Sequence, residues 1–194
     1  MNYWIPGITL ILLGLSHRWN VVQRADHVLF HRVHRLFNSS PWSDLFQELW
    51  FLGRTLFTLL GLVLITLINW QQGLTAAGIF GLAAGLERII KLRVNRSRPF
   101  QVLENARMLQ LRKPRDPSFP SGDALRVWFL ALVLPSLLTG SPWVQAFACT
   151  AALAVSLGRM VLGVHFLTDV LAGAGLGILA AGITHWIWAA FHLV

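Results

Sequence analysis

The run FLTDVLAGAGLGILAAGITHWIWAAFHLV, which extends from Phe166 to Val194, determines the class of fold. It is almost entirely apolar and exceeds the roughly 20 residues that a transmembrane α-helix needs. Five further apolar runs precede it in the chain: Tyr3–Leu15, Trp50–Trp70, Gly73–Ile90, Ala124–Thr139 and Trp143–Leu157. The first of these is short, but it lacks the basic start and the small-residue cleavage site of a signal peptide. The sequence therefore predicts an all-α, polytopic membrane protein with about six transmembrane helices.

The composition of the whole chain supports this class. Of 194 residues, 55% are hydrophobic, only 12% are charged and nine are Trp, which lies outside the range of a soluble domain. The formal net charge is +8, but the basic residues cluster beside the apolar runs, so anionic lipid is a simpler partner than nucleic acid. The single Cys149 excludes a disulfide within the chain. We find no internal repeat and predict a single domain over 1–194.

The segment between the first two runs has the pattern of an amphipathic helix. Its apolar residues recur at steps of three and four, with basic residues on the other faces: Val22, Ala25, Leu29, Val33 and Leu36. Such a helix is typical of the membrane interface. We assign every histidine except His165 to this interface. Short breaks at 71–73 and 140–142 predict tight connections between helices.

Three short polar motifs interrupt the apolar pattern. They are KLRVNRSRP at Lys91–Pro99, PSGD at Pro120–Asp123, and Gly158–Arg159 followed by His165 and Asp169. The first two motifs flank one loop, and a pair of helices returns the chain from the second motif to the third, so all three should lie at the same membrane face. Together they supply three cations, backbone N–H donors, a histidine and a carboxylate. These are the groups that transfer a phosphoryl group.

His165 and Asp169 form the candidate catalytic pair. They are four residues apart, which on a helix places both side chains on one face. The carboxylate can hold the imidazole through its Nδ1–H and leave Nε2 free to attack phosphorus. A lone histidine at a helix start would be assigned to the interface, but Arg159 and Asp169 lie in phase with this one and favour the catalytic interpretation.

Lys91, Arg98 and Arg159 are the candidate phosphate-binding side chains. Arginine suits bidentate contacts to phosphate oxygens, and Pro99 restricts the preceding residue to an extended or turned conformation. Taken singly, each of these cations could instead reach lipid headgroups from a helix end. Glu87 stands four residues before Lys91 and can pair with it.

Ser121 and Gly122 are candidate phosphate-binding residues through their backbone. They stand where a turn runs into a predicted helix, and the free N–H groups of a helix N-terminus favour an anion. The simpler alternative is an ordinary N-cap formed by Ser121 or Asp123. The two interpretations are compatible.

These three motifs resemble those of the type 2 phosphatidic acid phosphatase (PAP2) superfamily. The family pattern is Lys-x6-Arg-Pro, then Pro-Ser-Gly-His, then Ser-Arg-x5-His-x3-Asp, and the chain follows it in order over roughly its C-terminal three fifths. The resemblance implies a helical membrane phosphatase that acts on a phosphorylated lipid and needs neither cofactor nor metal. It implies that His165 forms a phosphohistidine and that Asp169 orients it. It also implies that the phosphoryl oxygens are bound by these groups: Lys91, Arg98, Arg159 and the N–H groups near Ser121–Gly122.

Two positions depart from the family pattern. Gly158 replaces a serine that resembles a phosphate hydrogen-bond donor in relatives, so we expect weaker phosphate binding. Asp123 replaces the histidine that relatives use as a general acid and remains a candidate catalytic residue. Because an aspartate has an unperturbed pKa of about 3.9, it is a poor proton donor at neutral pH. A phosphate leaving group needs that proton far less than an alcohol does, so we expect a lipid diphosphate such as undecaprenyl diphosphate as the substrate.

Other functions remain open at the level of the sequence. One is lipid-to-lipid phosphotransfer, as in the lipid A phosphotransferases of the superfamily, which this chain resembles in having Gly-Asp in the second motif. Another is binding of a phosphorylated lipid without catalysis. We expect an integral protein of the bacterial inner membrane. The positive-inside rule favours a cytoplasmic site, whereas many membrane members of the family act on the outer face.

Overall fold

The computed structural model of the protein describes residues 2–39 and 41–193. Within these residues it contains helices and turns and no β-strand. The helices are α1 (Trp4–Leu15), α2 (Asn20–Phe37), α3 (Trp42–Leu49), α4 (Thr55–Ile68), α5 (Trp70–Val94), α6 (Pro99–Val102), α7 (Gly122–Leu138), α8 (Pro142–Val161) and α9 (Leu167–Ala190). The prediction of an all-α fold is confirmed. Met1 and Val194, the ends of the predicted domain, lie outside the described residues.

The number of membrane spans differs from the prediction. Three segments of the described chain are long and apolar enough to cross a membrane: Trp70–Val102, Pro142–Val161 and Leu167–Ala190. A fourth results if Trp42–Gly53 and Thr55–Ile68, which meet at a bend of 44°, form one span. The predicted six spans are therefore not confirmed. With 12 and 17 residues, α1 and α7 are shorter than the roughly 20 residues of a full span.

Large apolar side chains cover the outside of the helices. On α4, for example, Leu59, Val63 and Leu67 are more than half exposed. Contiguous apolar surface of this kind is unfavourable in water, whereas the hydrocarbon of a bilayer solvates it. The apolar helices identify an integral membrane protein.

Small residues allow the neighbours of α9 to approach it closely. α1, α5 and α7 all pack against this helix. A Cβ at Gly173 would lie 2.1 Å from the carbonyl oxygen of Ser121, and one at Gly177 would lie 2.4 Å from that of Leu125. Small residues four apart are typical of close helix packing in membranes. The contact brings the starts of α7 and α9 together, so that the Ser121 N–H donates to the Asp169 carbonyl at 2.9 Å.

The connection between α4 and α5 lies earlier than predicted. The break expected at 71–73 falls inside the first turn of α5. The junction is Asn69, whose side chain accepts the N–H groups of Gln71 and Gln72 at 3.1 and 3.2 Å. Because an asparagine N-cap satisfies donors that the helix itself leaves unpaired, one residue is enough to join the helices. The break at 140–142 is where it was predicted, and Gly140 there has a φ of +59°.

α2 is a helix as predicted, and the face that it turns toward the rest of the protein is a different one from its predicted apolar face. The residues that it buries recur every four positions: Asp26, Phe30 and His34. On the predicted apolar face, Leu29 and Leu36 are 39% and 69% exposed. The inward face carries polar groups, so its period is hidden among the polar residues of the sequence.

The assignment of His34 to the membrane interface is wrong. This residue is only 2% exposed. Its Nδ1 lies 2.8 Å from the Val161 carbonyl oxygen, and its Nε2 accepts the N–H of Arg107 at 3.2 Å. His34 therefore joins α2 to the end of α8 and to the long loop before α7.

Candidate active site

A cavity of about 310 Å³ brings the three polar motifs together. Six of the eight residues that the sequence singled out line it: Lys91, Arg98, Gly122, Asp123, Arg159 and His165. The other two, Ser121 and Asp169, lie behind this wall and are fully buried. The N–H of Ser121 is bonded to Asp169, and its Oγ accepts the N–H of Ala124 at 3.4 Å as the N-cap of α7. The N–H of Ser121 is thus bonded to α9 and its Oγ caps α7, whereas Gly122 lines the cavity.

His165 lies just before α9, not on it. The N-cap of α9 is Phe166, and Asp169 is the third residue of the helix. The expected helical i, i+4 geometry is therefore replaced by a cap: the Phe166 N–H donates to Asp169 Oδ2 at 2.9 Å. This turn still directs the two side chains toward each other, with 3.6 Å between His165 Nδ1 and Asp169 Oδ2.

The His165 ring presents its second nitrogen to the cavity. Nε2 lies 3.2 Å from Nη1 of Arg98. Burial, followed by the Arg98 guanidinium, lowers the pKa of His165 to about 3, although the Asp169 carboxylate acts to raise it. The ring is consequently neutral near pH 7. With a proton on Nδ1, facing the carboxylate, Nε2 is the acceptor nitrogen, and Arg98 Nη1 at the cavity wall donates to it.

Asp169 is held by hydrogen-bond donors on both of its oxygens. Oδ2 accepts the hydroxyl of Ser118 and the N–H of Phe166. Oδ1 accepts Nη1 of Arg96 at 2.6 Å. Ser118 Oγ also lies 3.4 Å from His165 Nδ1. Because the carboxylate is fully buried and bonded on each side, its direction toward His165 is fixed.

The first motif places Lys91 and Arg98 on the same carboxylate, that of Asp116. Lys91 lies in the last turn of α5, where its Nζ is 2.9 Å from Glu87, as predicted, and also pairs with Asp116. Nη2 of Arg98 lies 2.9 Å from Asp116 Oδ1, and its Nη1 donates to the Val164 carbonyl at 2.9 Å. Burial alone would raise the pKa of Asp116, but the ammonium of Lys91 and the guanidinium of Arg98 lower it to about 2.

Arg159 has donors without partners. It occupies the last turn of α8 and is 2% exposed. Its Nη2 pairs with Asp123 Oδ2 at 2.9 Å and donates to the Gln110 side chain. Its Nε and Nη1 are buried and have no hydrogen-bond partner among the residues that the structure describes. Because an unpaired buried donor is costly, these two N–H groups favour an anion in the cavity.

Asp123 stands between two guanidinium groups. Its Oδ1 is 2.9 Å from Arg126 Nη1 and its Oδ2 is 2.9 Å from Arg159 Nη2. The indole N–H of Trp50 donates to Oδ2 at 3.3 Å. All of these partners are donors, and such surroundings stabilise the ionised carboxylate.

Several residues of the site were not predicted from the sequence. They are Asp26, Trp50, Arg96, Gln110, Asp116, Ser118 and Arg126. Arg96 lies inside the first motif and Ser118 stands two positions before the second, and that placement is the signal that could have found them. Asp26 had no such signal, because its partners lie far along the chain. Within residues 2–39 and 41–193, no group of three or more His, Cys, Asp or Glu side chains is arranged to hold a metal ion.

Comparisons with known proteins point to one family. A model of the PAP2 superfamily matches residues 72–192. The undecaprenyl-diphosphatase of Sulfolobus acidocaldarius is 30% identical over 181 residues, which cover 90% of this chain and 85% of that protein. The phosphatidylglycerophosphatase B of Bacillus subtilis is 31% identical over 186 residues, which cover 88% of this chain and 86% of that protein.

A solved structure shares the architecture. It is the crystal structure of a transmembrane PAP2-type phosphatidylglycerolphosphate phosphatase from Bacillus subtilis. The TM-score is 0.77 at 26% identity, and the match covers 94% of each chain. The similarity therefore includes the N-terminal helices, which lie outside the residues that the family model matches.

Proposed function

The chain belongs to the PAP2 superfamily and is a membrane lipid phosphatase, and we propose that it removes the terminal phosphate of a prenyl diphosphate through a phosphohistidine at His165. The observation that carries the proposal is the pairing of a neutral imidazole with a cationic cavity. His165 and Arg159 line the same cavity, and Nε and Nη1 of Arg159 are buried without a hydrogen-bond partner among the described residues. A nucleophile and unsatisfied phosphate donors thus meet at one place.

In the first step, Nε2 of His165 attacks the terminal phosphorus. The N–P bond forms as the bridging P–O bond breaks, and the leaving prenyl phosphate takes the electron pair of that bond. The phosphorylated ring carries a positive charge, which Asp169 stabilises from the Nδ1 side. Lys91, Arg98 and Arg159 stabilise the equatorial oxygens of the phosphoryl group as it transfers.

In the second step, water attacks the phosphohistidine. A P–O bond to the water oxygen forms as the P–N bond breaks, the electron pair of that bond returns to Nε2, and inorganic phosphate leaves with the protons of the water. The cations that bind the phosphoryl group in the first step bind it again here, since the same oxygens carry the charge. The protein supplies all of this positive charge from side chains of the described cavity wall.

Asp123 supports the choice of a diphosphate over a monoester. It occupies the position of the family's general acid, yet its neighbours Arg126 and Arg159 favour its ionised form. An ionised carboxylate donates no proton, so a leaving alcohol would depart as an unstable alkoxide. A leaving phosphate, whose second pKa is about 6, departs without protonation. The similarity to an undecaprenyl-diphosphatase supports the same class of substrate, and we place the protein in the bacterial inner membrane.

The test is phosphate release by the purified protein in detergent. Undecaprenyl diphosphate and phosphatidic acid are compared at equal surface concentration, with His165→Ala as the control. We expect faster release from the diphosphate and none from the variant. A clear preference for phosphatidic acid would show that the substrate assignment is wrong, while release by His165→Ala would show that the nucleophile is wrong.

The same assay distinguishes the other two functions. If the wild type consumes the diphosphate without releasing phosphate, and the label appears on an added lipid acceptor, the protein is a lipid-to-lipid phosphotransferase. If it binds the diphosphate and neither releases nor transfers phosphate, it is a non-catalytic lipid-binding protein. Both results would contradict hydrolysis as the main reaction.

A further inference from the structure

α2 contributes a buried carboxylate to the back of the site. Asp26 is only 2% exposed, although half of the residues of its helix are polar. Its Oδ1 accepts the N–H of Thr168 at 3.2 Å, and its Oδ2 accepts the Thr168 hydroxyl. The family match begins at residue 72, so this carboxylate comes from outside the matched part of the chain.

Arg96 connects Asp26 to the candidate catalytic pair. Its Nη2 lies 2.8 Å from Asp26 Oδ2, and its Nη1 lies 2.6 Å from Asp169 Oδ1. Nη1 also donates to the Thr168 hydroxyl at 2.7 Å. The guanidinium packs on the ring of Phe166, with 4.4 Å between Cζ and the ring centroid. One cation is thus fixed between two buried carboxylates, and its plane is set by an aromatic ring.

We propose that Asp26 is a positioning residue for His165, acting through Arg96 and Asp169. The inference rests on the proposed function, because it takes His165 to be the nucleophile. Asp26 fixes the place of the guanidinium, and the guanidinium fixes Oδ1 of Asp169. The other oxygen of Asp169 is then held toward Nδ1 of the ring.

The charges of Asp26, Arg96 and Asp169 alternate in sign along this chain of contacts. Arg96 alone would offset much of the negative charge of Asp169, because the two are separated by 2.6 Å in a buried setting. Asp26 shares the cation and leaves Asp169 more of its charge. The phosphorylated His165 ring is cationic and needs that charge. Asp26 therefore acts on the step in which the ring becomes charged, and not on the binding of phosphate in the cavity.

A second buried polar residue of α2 provides the matched control. His34 lies two helical turns from Asp26 on the same face, and it bonds the Val161 carbonyl and the Arg107 amide. It docks the same helix through other partners. His34→Ala consequently measures what loosening α2 does by itself.

The experiment compares Asp26→Asn, Arg96→Gln, the double variant and His34→Ala in detergent, with undecaprenyl diphosphate as the substrate. For Asp26→Asn we expect kcat to fall by about 10- to 100-fold, as when a group that orients a metal ligand is lost. KM and the inhibition constant of inorganic phosphate should stay within about threefold, because the cavity cations are unchanged. Asp26→Glu, which keeps the charge, should recover part of kcat.

The double variant tests whether Asp26 acts through Arg96. If it does, the double variant should be no slower than Arg96→Gln alone, since coupled residues do not add. Independent multiplication of the two losses would overturn the proposal. So would an Asp26→Asn enzyme with the kcat of the wild type, or a His34→Ala enzyme that loses as much kcat at an equal loss of Tm.

Arg96→Lys is the substitute variant, and the activity of the wild type separates the two proposals. If Asp26→Asn does not fold, Arg96→Lys replaces it, because lysine keeps the charge but cannot bridge two carboxylates. The expected result is again a lower kcat at unchanged KM, and an unchanged kcat would contradict the proposal. If the wild type releases no phosphate at all, the proposed function fails. If the wild type is active and Asp26→Asn has the kcat of the wild type, only the positioning role of Asp26 fails.

Discussion

The two nitrogens of the His165 ring face surroundings of opposite construction. On the Nδ1 side, every described oxygen of Asp169 is bonded to a donor, and the carboxylate is fully buried. On the Nε2 side, the cavity wall carries five basic residues and two acidic ones, and Arg159 keeps two unpartnered N–H groups there. The polar groups on the Nδ1 side are paired without a ligand, whereas two donors on the Nε2 side are not.

This difference shows how the site divides its tasks. A saturated network is costly to rearrange, so it holds the ring in one orientation before any substrate arrives. A network with spare donors and excess positive charge is stabilised only when an anion enters it. Phosphoryl transfer uses both features: a fixed orientation of the nucleophilic ring on the Nδ1 side, and unpaired cationic donors for the phosphoryl oxygens on the Nε2 side.

The largest expected effect comes from breaking the saturated side. Asp169 accepts from Arg96, Ser118 and Phe166, and all three are donors. In Asp169→Asn the amide NH₂ must face one of these donors, and the ring loses the acceptor that fixes its tautomer. We expect kcat for phosphate release to fall by a factor on the order of 10⁴, as in serine proteases. Glu104→Gln, at an exposed carboxylate, is the control and should be silent; a fall of less than tenfold in Asp169→Asn would mean that the ring is oriented by other groups.

A smaller effect is expected from the unsatisfied side. In Arg159→Lys the positive charge remains, but the planar fork that offers Nε and Nη1 to one phosphate is lost. We expect kcat/KM to fall by about 100-fold, within the range for loss of one transition-state donor. Arg93→Lys, at an exposed position near the end of α5, should leave kcat/KM unchanged. Equal activity of Arg159→Lys and wild type would show that the spare donors do not bind phosphate.

The pKa of the His165 ring should make the stability of the protein depend on pH. A histidine titrates near 6.5 in the unfolded chain, whereas burial, followed by Arg98, lowers the pKa of folded His165 to about 3. Below pH 6.5 the unfolded state therefore binds a proton that the folded state does not. The free energy of unfolding should fall by ~1.4 kcal/mol per pH unit below this point, until the pH approaches 3.

The matched variant is His165→Asn, which cannot take up that proton. Its Tm minus the wild-type Tm, measured in detergent, should rise as the pH falls from 7 to 5. A difference that stays constant over this range would mean that the folded ring takes up its proton as readily as the unfolded one. The Nε2 side would then be less cationic than its residues suggest.

The sequence predicted the front of the site better than its back. The cavity residues belong to contiguous motifs, and helix topology alone places those motifs at one face. Asp26 could not be predicted, because on α2 it reads as part of a solvated face, and only tertiary contact with Thr168 reveals that it is buried. The six predicted spans are not confirmed for a related reason. Hydropathy identifies apolar runs but does not tell a full crossing from a shorter buried helix such as α7.

The smallest expected effect concerns Gly158, which departs from the family pattern on the front side. The sequence predicts that the missing serine weakens phosphate binding. In the structure, however, a Cβ at Gly158 would lie 2.9 Å from Cδ1 of Phe46, and Gly158 is not part of the cavity wall. A serine here would press on the Phe46 ring before it could reach a phosphate.

We therefore expect Gly158→Ser to leave KM within about twofold and to lower the stability by about 1–3 kcal/mol through overpacking. Gly78→Ser is the matched control, because a Cβ there meets no atom within 4 Å, so its Tm should fall less. The measurements are KM for the diphosphate and Tm in detergent. If Gly158→Ser instead lowers KM several-fold without loss of Tm, the Phe46 ring yields easily. The phosphate-binding side of His165 would then extend to Gly158 on α8, beyond the residues that line the present cavity.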